Sequence, residues 1–146
     1  MSDLSRIFTN SDSIRDFVLA GNSIFTVTSP TGTSFTFKVK MADPRPNLST
    51  TWFVGVLTGP DNTSSYTYLG FLRDNQYIPG KKIGQDAPSQ KVATWLMPRL
   101  IAGQLPSQVE FRTSGRCGRC GRLLTTPESI DRGIGPECWN KMHEGM

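Results

Sequence analysis

The chain has 146 residues, the length of one compact domain, and carries 16 Lys and Arg against 12 Asp and Glu, a net charge of +4. Aromatic residues make up 10% and charged residues 19%, which excludes a disordered chain because disorder combines high net charge with few aromatics. No apolar stretch reaches the roughly 18 residues of a membrane span, and the first residues lack a signal peptide's pattern, so we expect a soluble, cytoplasmic protein. The positive charge allows an anionic partner without establishing one.

A short helix is predicted first in the chain. Ser11 or Asp12 can cap its start, and Gly21 ends it. Its apolar face is formed by Ile14, Phe17 and Val18.

Four strands are predicted next, and the short turns between them indicate an antiparallel meander. They are Ile24–Thr28, Ser34–Met41, Trp52–Leu57 and Tyr66–Leu72. The second strand alternates polar and apolar residues, which directs one set inward and two lysines into water: Phe35, Phe37, Val39 and Met41 against Lys38 and Lys40. The third strand is a continuous apolar run, so we expect it to be central and covered on both faces.

A longer helix is predicted at Pro88–Ala102, with apolar residues near helical spacing. Pro98 lies inside this pattern and should kink or split the helix. Val109–Phe111 is a last short strand. We therefore predict an α+β body at residues 1–113, in which an antiparallel β meander is packed by an α-helix.

The body offers little chemistry. It has no phosphate loop and no nucleophile elbow, and the chain's one histidine is His143, so we expect no enzymatic activity and no small-molecule substrate. Tyr66, Tyr68 and Trp52 could stack nucleic-acid bases on an exposed sheet face. Packing in the core is favoured, because aromatic residues on strands usually pack.

The three cysteines all lie in the last fifth of the chain. Cys117 and Cys120 form a C-x2-C pair, and 17 residues separate them from Cys138. An odd cysteine count with no secretory signal argues against a disulfide framework, whereas this spacing is typical of zinc sites. Gly118 can loosen the turn of the pair, and Pro136 can begin a helix whose positive N-terminus favours the Cys138 thiolate. We therefore predict a structural zinc module, similar to a zinc ribbon or treble clef, at residues 114–146.

His143 is the predicted fourth ligand. Residues five apart on an ideal helix point roughly 140° away from each other, so His143 reaches the metal only if the helix ends or loosens before it. The alternatives are Glu128, Asp131, Glu137 or a water. Unrelated thiols, a redox cysteine pair and a catalytic zinc with a glutamate base are rival interpretations of the cysteines.

Basic residues crowd this module and have two interpretations. They are Arg112, Arg116, Arg119, Arg122, Arg132 and Lys141. They could contact the phosphates of DNA or RNA. They could equally balance the charge of the zinc centre, because three thiolates and a neutral imidazole around Zn²⁺ leave one net negative charge.

The segment CGRCGRLLTTPESI…GIGPEC, residues 117–138, resembles a small zinc-ribbon domain of unknown function that is common in bacteriophage and prophage proteins. The stretch Trp52–Gly70 is similar to the segment that often accompanies that domain. The resemblance implies a phage-type protein acting in the bacterial cytoplasm. It carries over the cysteine triad but no fourth ligand and no activity.

Two functions follow as hypotheses. The first is a non-enzymatic, phage-type zinc protein that contacts nucleic acid or a nucleoprotein complex. The alternative is a phage inhibitor or modulator of a host protein, such as a defence or transcription component, that acts through protein–protein contacts.

Overall fold

The computed structural model describes residues 6–7, 11–59, 65–106, 108–113, 116–120 and 134–143, without the side chains of 6–7, 11–13, 136 and 142–143. Within these ranges the chain forms one sheet of seven strands and three helices. The strands are β1 (Arg6–Ile7), β2 (Asn22–Thr28), β3 (Ser34–Met41), β4 (Thr51–Leu57), β5 (Tyr66–Arg73), β6 (Gln76–Pro79) and β7 (Glu110–Thr113). The helices are α1 (Ser11–Val18), α2 (Pro88–Ile101) and α3 (Pro136–His143). None of these helices has the length and apolar character needed to cross a membrane.

The strand order is β1-β7-β2-β3-β4-β5-β6, and each pairing is antiparallel. Strands β2 to β6 are neighbours in chain order, which confirms the predicted meander. Strand β7 returns after α2 to pair with β2 and extends the sheet on that side. The α+β class is therefore confirmed, and the strand predicted at Val109–Phe111 corresponds to this returning strand, which pairs with β1 on its other side.

The helices α1 and α2 pack on the same face of the sheet and form the core with it. Phe17 of α1 meets Phe25 of β2 and Phe111 of β7 edge-on, with ring centroids 6.5 and 6.1 Å away. Phe25 and Phe111 stack on each other at 4.6 Å. The predicted apolar face of α1 is confirmed, because Ile14, Phe17 and Val18 are all buried.

The opposite face of the sheet, which we call the open face, carries none of the described helices. Phe53 of β4 points to it and is 47% exposed, so the prediction that β4 is covered on both faces is wrong. The described helices lie on the other side of the sheet. Among the alternate residues of β4 that point away from them, Phe53 is exposed, Gly55 and Leu57 are half-buried and Thr51 is buried. Tyr66 and Tyr68 also lie half-buried on the open face, whereas Trp52 faces the helices and donates from Nε1 to the Leu19 carbonyl at 3.0 Å.

Met41 is a second correction, because it is 39% exposed rather than buried. It is the last residue of β3, where the chain leaves the sheet and the helices no longer cover it. Lys40 is exposed as predicted. Lys38 is half-buried instead, with its ammonium 5.6 Å from the centre of the Tyr66 ring.

Strand β6 was missed at the sequence level. It pairs with β5 through a two-residue turn at Asp74 and Asn75, whose φ angles are +53° and +61°. Two consecutive positive φ angles are typical of a type I′ hairpin turn, and Asp and Asn tolerate them better than most residues. The Asp-Asn pair was therefore a hairpin signal in the sequence.

Pro98 does not split α2, which is continuous from Pro88 to Ile101. Proline cannot donate to the carbonyl four residues earlier, which here belongs to Thr94. Both residues lie on the exposed side of α2, so water can satisfy that carbonyl. The helix thus accommodates Pro98 on the one face where the missing hydrogen bond costs little.

Gln90 anchors α2 to the far edge of the sheet. Its buried side chain accepts a hydrogen bond from the Tyr77 hydroxyl and donates to the carbonyls of Leu69 and Ile83 at 2.9 and 3.1 Å. Gly70 leaves room for this arrangement. A Cβ there would lie 2.9 Å from the Tyr77 hydroxyl oxygen and directly against the Ile78 carbonyl.

We expect Gly70→Ala to lower the free energy of unfolding by about 1–3 kcal/mol, because the added methyl overpacks backbone that cannot move aside. Gly84→Ala is the matched control, since nothing lies within 4 Å of a Cβ at Gly84. Urea unfolding of both variants measures the difference. Equal stability of the two variants would contradict the packing described for Gly70.

Candidate metal centre

Three cysteine sulfurs lie together at the C-terminal end of the described chain. The Sγ atoms of Cys117, Cys120 and Cys138 are all within 4.8 Å of one another. Ligands on a tetrahedral zinc with bonds of about 2.3 Å are about 3.8 Å apart, so a small contraction would place all three on one ion. The cluster could therefore hold a metal ion.

Helix α3 brings Cys138 to the other two cysteines. It begins at Pro136, as predicted, and Cys138 lies in its first turn. The Trp139 N–H donates to the Gly135 carbonyl at 2.8 Å and closes that turn. The Cys138 thiol therefore lies at the helix end whose unpaired N–H groups favour a thiolate.

Cys117 is the best-supported thiolate of the three. Its side chain is only 2% exposed, and burial alone would raise the pKa of its thiol. Hydrogen bonds from the backbone N–H groups of Gly135, Cys120 and Arg119 outweigh burial and bring the pKa below its usual value. The distance to the Cys117 sulfur is 3.3 Å from the Gly135 nitrogen and 3.4 Å from the Arg119 nitrogen.

Cys138 shows the opposite shift. Burial, and after it the hydrogen bonds and charge repulsion of the neighbouring sulfurs of Cys120 and Cys117, together raise the pKa of its thiol to about 12. The closeness of the sulfurs therefore opposes ionisation of the Cys138 thiol. A divalent cation with soft-ligand preference supplies the missing positive charge, so the donor set fits zinc.

The cysteine segment 116–120 is docked on the body at the junction of α1 and β2. The Asn22 N–H donates to the Gly118 carbonyl at 2.7 Å. A Cβ at Gly118 would lie 2.9 Å from two ring carbons of Phe17 and 3.0 Å from its carbonyl oxygen. Gly118 is thus required for close approach to α1, and this is a role that its place in the C-x2-C turn did not indicate.

The predicted basic residues are spread over three elements. Arg112 is half-buried on β7, 3.4 Å from the carboxylate of Glu110. Arg116, Arg119 and Lys141 are exposed, the first two on the cysteine segment and the third on α3. Arg119 donates to the Cys138 carbonyl at 3.3 Å and so links the two parts of the centre. Arg122 and Arg132 lie outside the described residues.

The fourth ligand stays a prediction. Helix α3 includes His143 as its last residue and so does not end before it, which was one of the two conditions for His143 to reach the metal; the His143 side chain lies outside the described set. Among the alternatives, Glu137 is exposed in the first turn of α3, whereas Glu128 and Asp131 lie outside the described residues.

Residues 108–143 match the model of a family of unknown function, DUF6011. The match covers less than half of the chain and includes β7, the cysteine segment and α3. Neither the comparison with curated proteins nor that with solved structures gave a match. The C-terminal part of the chain is therefore similar to a domain of unknown function, and its cysteine cluster is compatible with a zinc module.

We expect Gly118→Ala to weaken docking of the cysteine segment, because the new methyl would clash with the ring and backbone of Phe17. The free energy of unfolding should fall by about 1–3 kcal/mol. Zinc affinity should fall with it, since docking positions Cys117. Chemical unfolding and chelator competition measure the two effects, with Gly84→Ala as control. An unchanged zinc affinity would show that the centre forms independently of α1.

We expect one zinc ion per chain, released by exhaustive chelation together with loss of structure in the C-terminal part. Serine in place of Cys117, Cys120 or Cys138 should abolish stoichiometric binding. His143→Ala should weaken affinity by more than about tenfold, because losing even an outer partner of a ligand costs about 10–100-fold. Glu137→Gln distinguishes the alternatives: if it weakens binding and His143→Ala does not, the histidine assignment is wrong. Elemental analysis and chelator competition provide the readouts.

Proposed function

We propose that this is a non-enzymatic, phage-type zinc protein whose C-terminal module contacts nucleic acid or a nucleoprotein complex in the bacterial cytoplasm. The observation that carries the proposal is the cluster of three cysteine sulfurs within 4.8 Å of one another. Exposed cations lie on both parts of the chain that form it, the cysteine segment and α3. Arg116 and Arg119 lie on the cysteine segment, and Lys141 lies on α3.

Zinc has a structural role in this proposal, because it offsets two of the three thiolate charges and ties α3 to the cysteine segment. The chain's own residues do the rest. Backbone N–H groups hold the Cys117 sulfur, and Arg119 bridges to the Cys138 carbonyl. Arg119 therefore also serves the centre itself, and contact with phosphates is assigned to the exposed side chains of Arg116, Arg119 and Lys141.

The alternative partner, a host protein, is supported by a different feature. An apolar cleft of about 400 Å³ lies between α2 and the β2–β3 hairpin, lined by Val92, Leu96 and Phe35 among others. Trp95 lines the same cleft and is 41% exposed. Affinity capture with and without nuclease separates the two functions, because a protein partner remains bound after nucleic acid is digested.

We expect the zinc-loaded protein to bind DNA or RNA with an affinity that falls steeply between about 50 and about 200 mM salt. The variant Arg116→Gln/Lys141→Gln should flatten the plot of log affinity against log salt, since each lost phosphate contact removes about 0.7–0.9 from the slope. Lys91→Gln, an exposed position on α2, is the matched control. Fluorescence anisotropy measures both variants. If the double variant and the control have the same slope, the module does not contact phosphate.

A further inference from the structure

The open face carries a row of side chains that crosses four strands. Lys40 of β3 pairs with Phe53 of β4, Phe53 pairs with Phe71 of β5, and Phe71 pairs with Ile78 of β6. Directly paired residues of antiparallel strands project from the same face with their Cβ atoms about 5 Å apart. Phe53 is 47% and Ile78 38% exposed, so the row presents a contiguous apolar surface to solvent.

Aromatic rings and cations lie next to each other on this face. Tyr68 lies edge-to-face with Phe53, with ring centroids 6.1 Å apart. The Arg73 guanidinium lies 4.8 Å from the centre of the Phe71 ring, and the Lys38 ammonium 5.6 Å from that of Tyr66. Lys38 and Arg73 are therefore each held beside an aromatic ring.

The charge of this part of the sheet has one sign. The charged residues of β3, β4, β5 and β6 are Lys38, Lys40 and Arg73, and all three are basic. Glu110, an acid on the same sheet, lies on β7, which β2 separates from β3, and is paired with Arg112. The surface around Phe53 is thus complementary to a polyanion.

A cleft of about 390 Å³ continues the face at the loop between β3 and β4. Phe53 and Arg73 line it together with Arg45, Leu48 and Asp43 among others. Its volume is in the range of pockets that bury small ligands, and its two cations exceed its one acid. A planar group stacked on Phe53 would have room to extend into it.

We propose that the open face binds single-stranded nucleic acid. Unpaired bases stack on Phe53 and Tyr68, and the backbone phosphates contact Lys38, Lys40 and Arg73. Rings interleaved with cations suit a single strand because its bases are available for stacking, whereas those of a duplex are not. This surface is separate from the cysteine module, and the inference rests on the proposed function only in naming nucleic acid as the partner.

The test is fluorescence anisotropy on the full, zinc-loaded chain with labelled oligo-dT and oligo-U of about 15 nucleotides and a duplex of equal length. We expect both single strands to bind more tightly than the duplex. Phe53→Ala should weaken single-strand binding by about tenfold, the effect of losing one stacking platform, and Phe53→Trp should restore it. Lys40→Gln should reduce the salt slope by about 0.7.

Trp95→Ala is the matched control, since Trp95 is also an exposed aromatic with a guanidinium over its ring, that of Arg99 at 4.4 Å, but lies on α2. Thermal unfolding confirms that each variant is folded. Equal binding by Phe53→Ala and Trp95→Ala, or preference for the duplex, would overturn the proposal. Loss of binding in Arg116→Gln/Lys141→Gln but not in Phe53→Ala would overturn it while leaving the proposed function intact. The reverse pattern would support the open face and place nucleic-acid contact away from the module.

Discussion

The packing of Phe17 connects the two parts of the molecule that sequence patterns separate. On one side its ring meets Phe25 and Phe111, which stack on each other in the core. On the other side its ring and carbonyl lie against Gly118, between the first two cysteines. Phe17 thus contacts both the core of the sheet and the candidate metal centre, and Gly118 allows the second contact because it has no side chain.

Strand β7 provides a second connection. The segment that matches the family of unknown function begins at residue 108 and therefore includes this strand. Yet β7 pairs with β2, and its Phe111 is fully buried in the body's core. The C-terminal segment consequently enters the sheet before it reaches the cysteines. Metal binding, by fixing the chain just beyond β7, should also oppose fraying of this side of the sheet.

Sequence patterns correctly predicted the features that depend on residues close together in the chain. The bounds of β3, the buried face of α1 and the start of α3 at Pro136 all follow from alternation, helical spacing or proline's missing N–H. The one-sided covering of β4 could not be predicted, because a continuous apolar run looks the same whether the second face meets a helix or water. Contact between Gly118 and Phe17 was equally inaccessible, since about a hundred residues separate them in the chain.

The exposure of Phe53 is the feature that folding alone explains least well. Helices α1 and α2 already bury the other side of β4, and a polar β-former such as Thr would satisfy the strand at this position. An exposed apolar row also carries a risk of association between chains. The nearby lysines and arginine reduce that risk through like-charge repulsion between copies. They leave the face attractive to a ligand that is both planar and negatively charged, which is the chemistry of unpaired nucleotides.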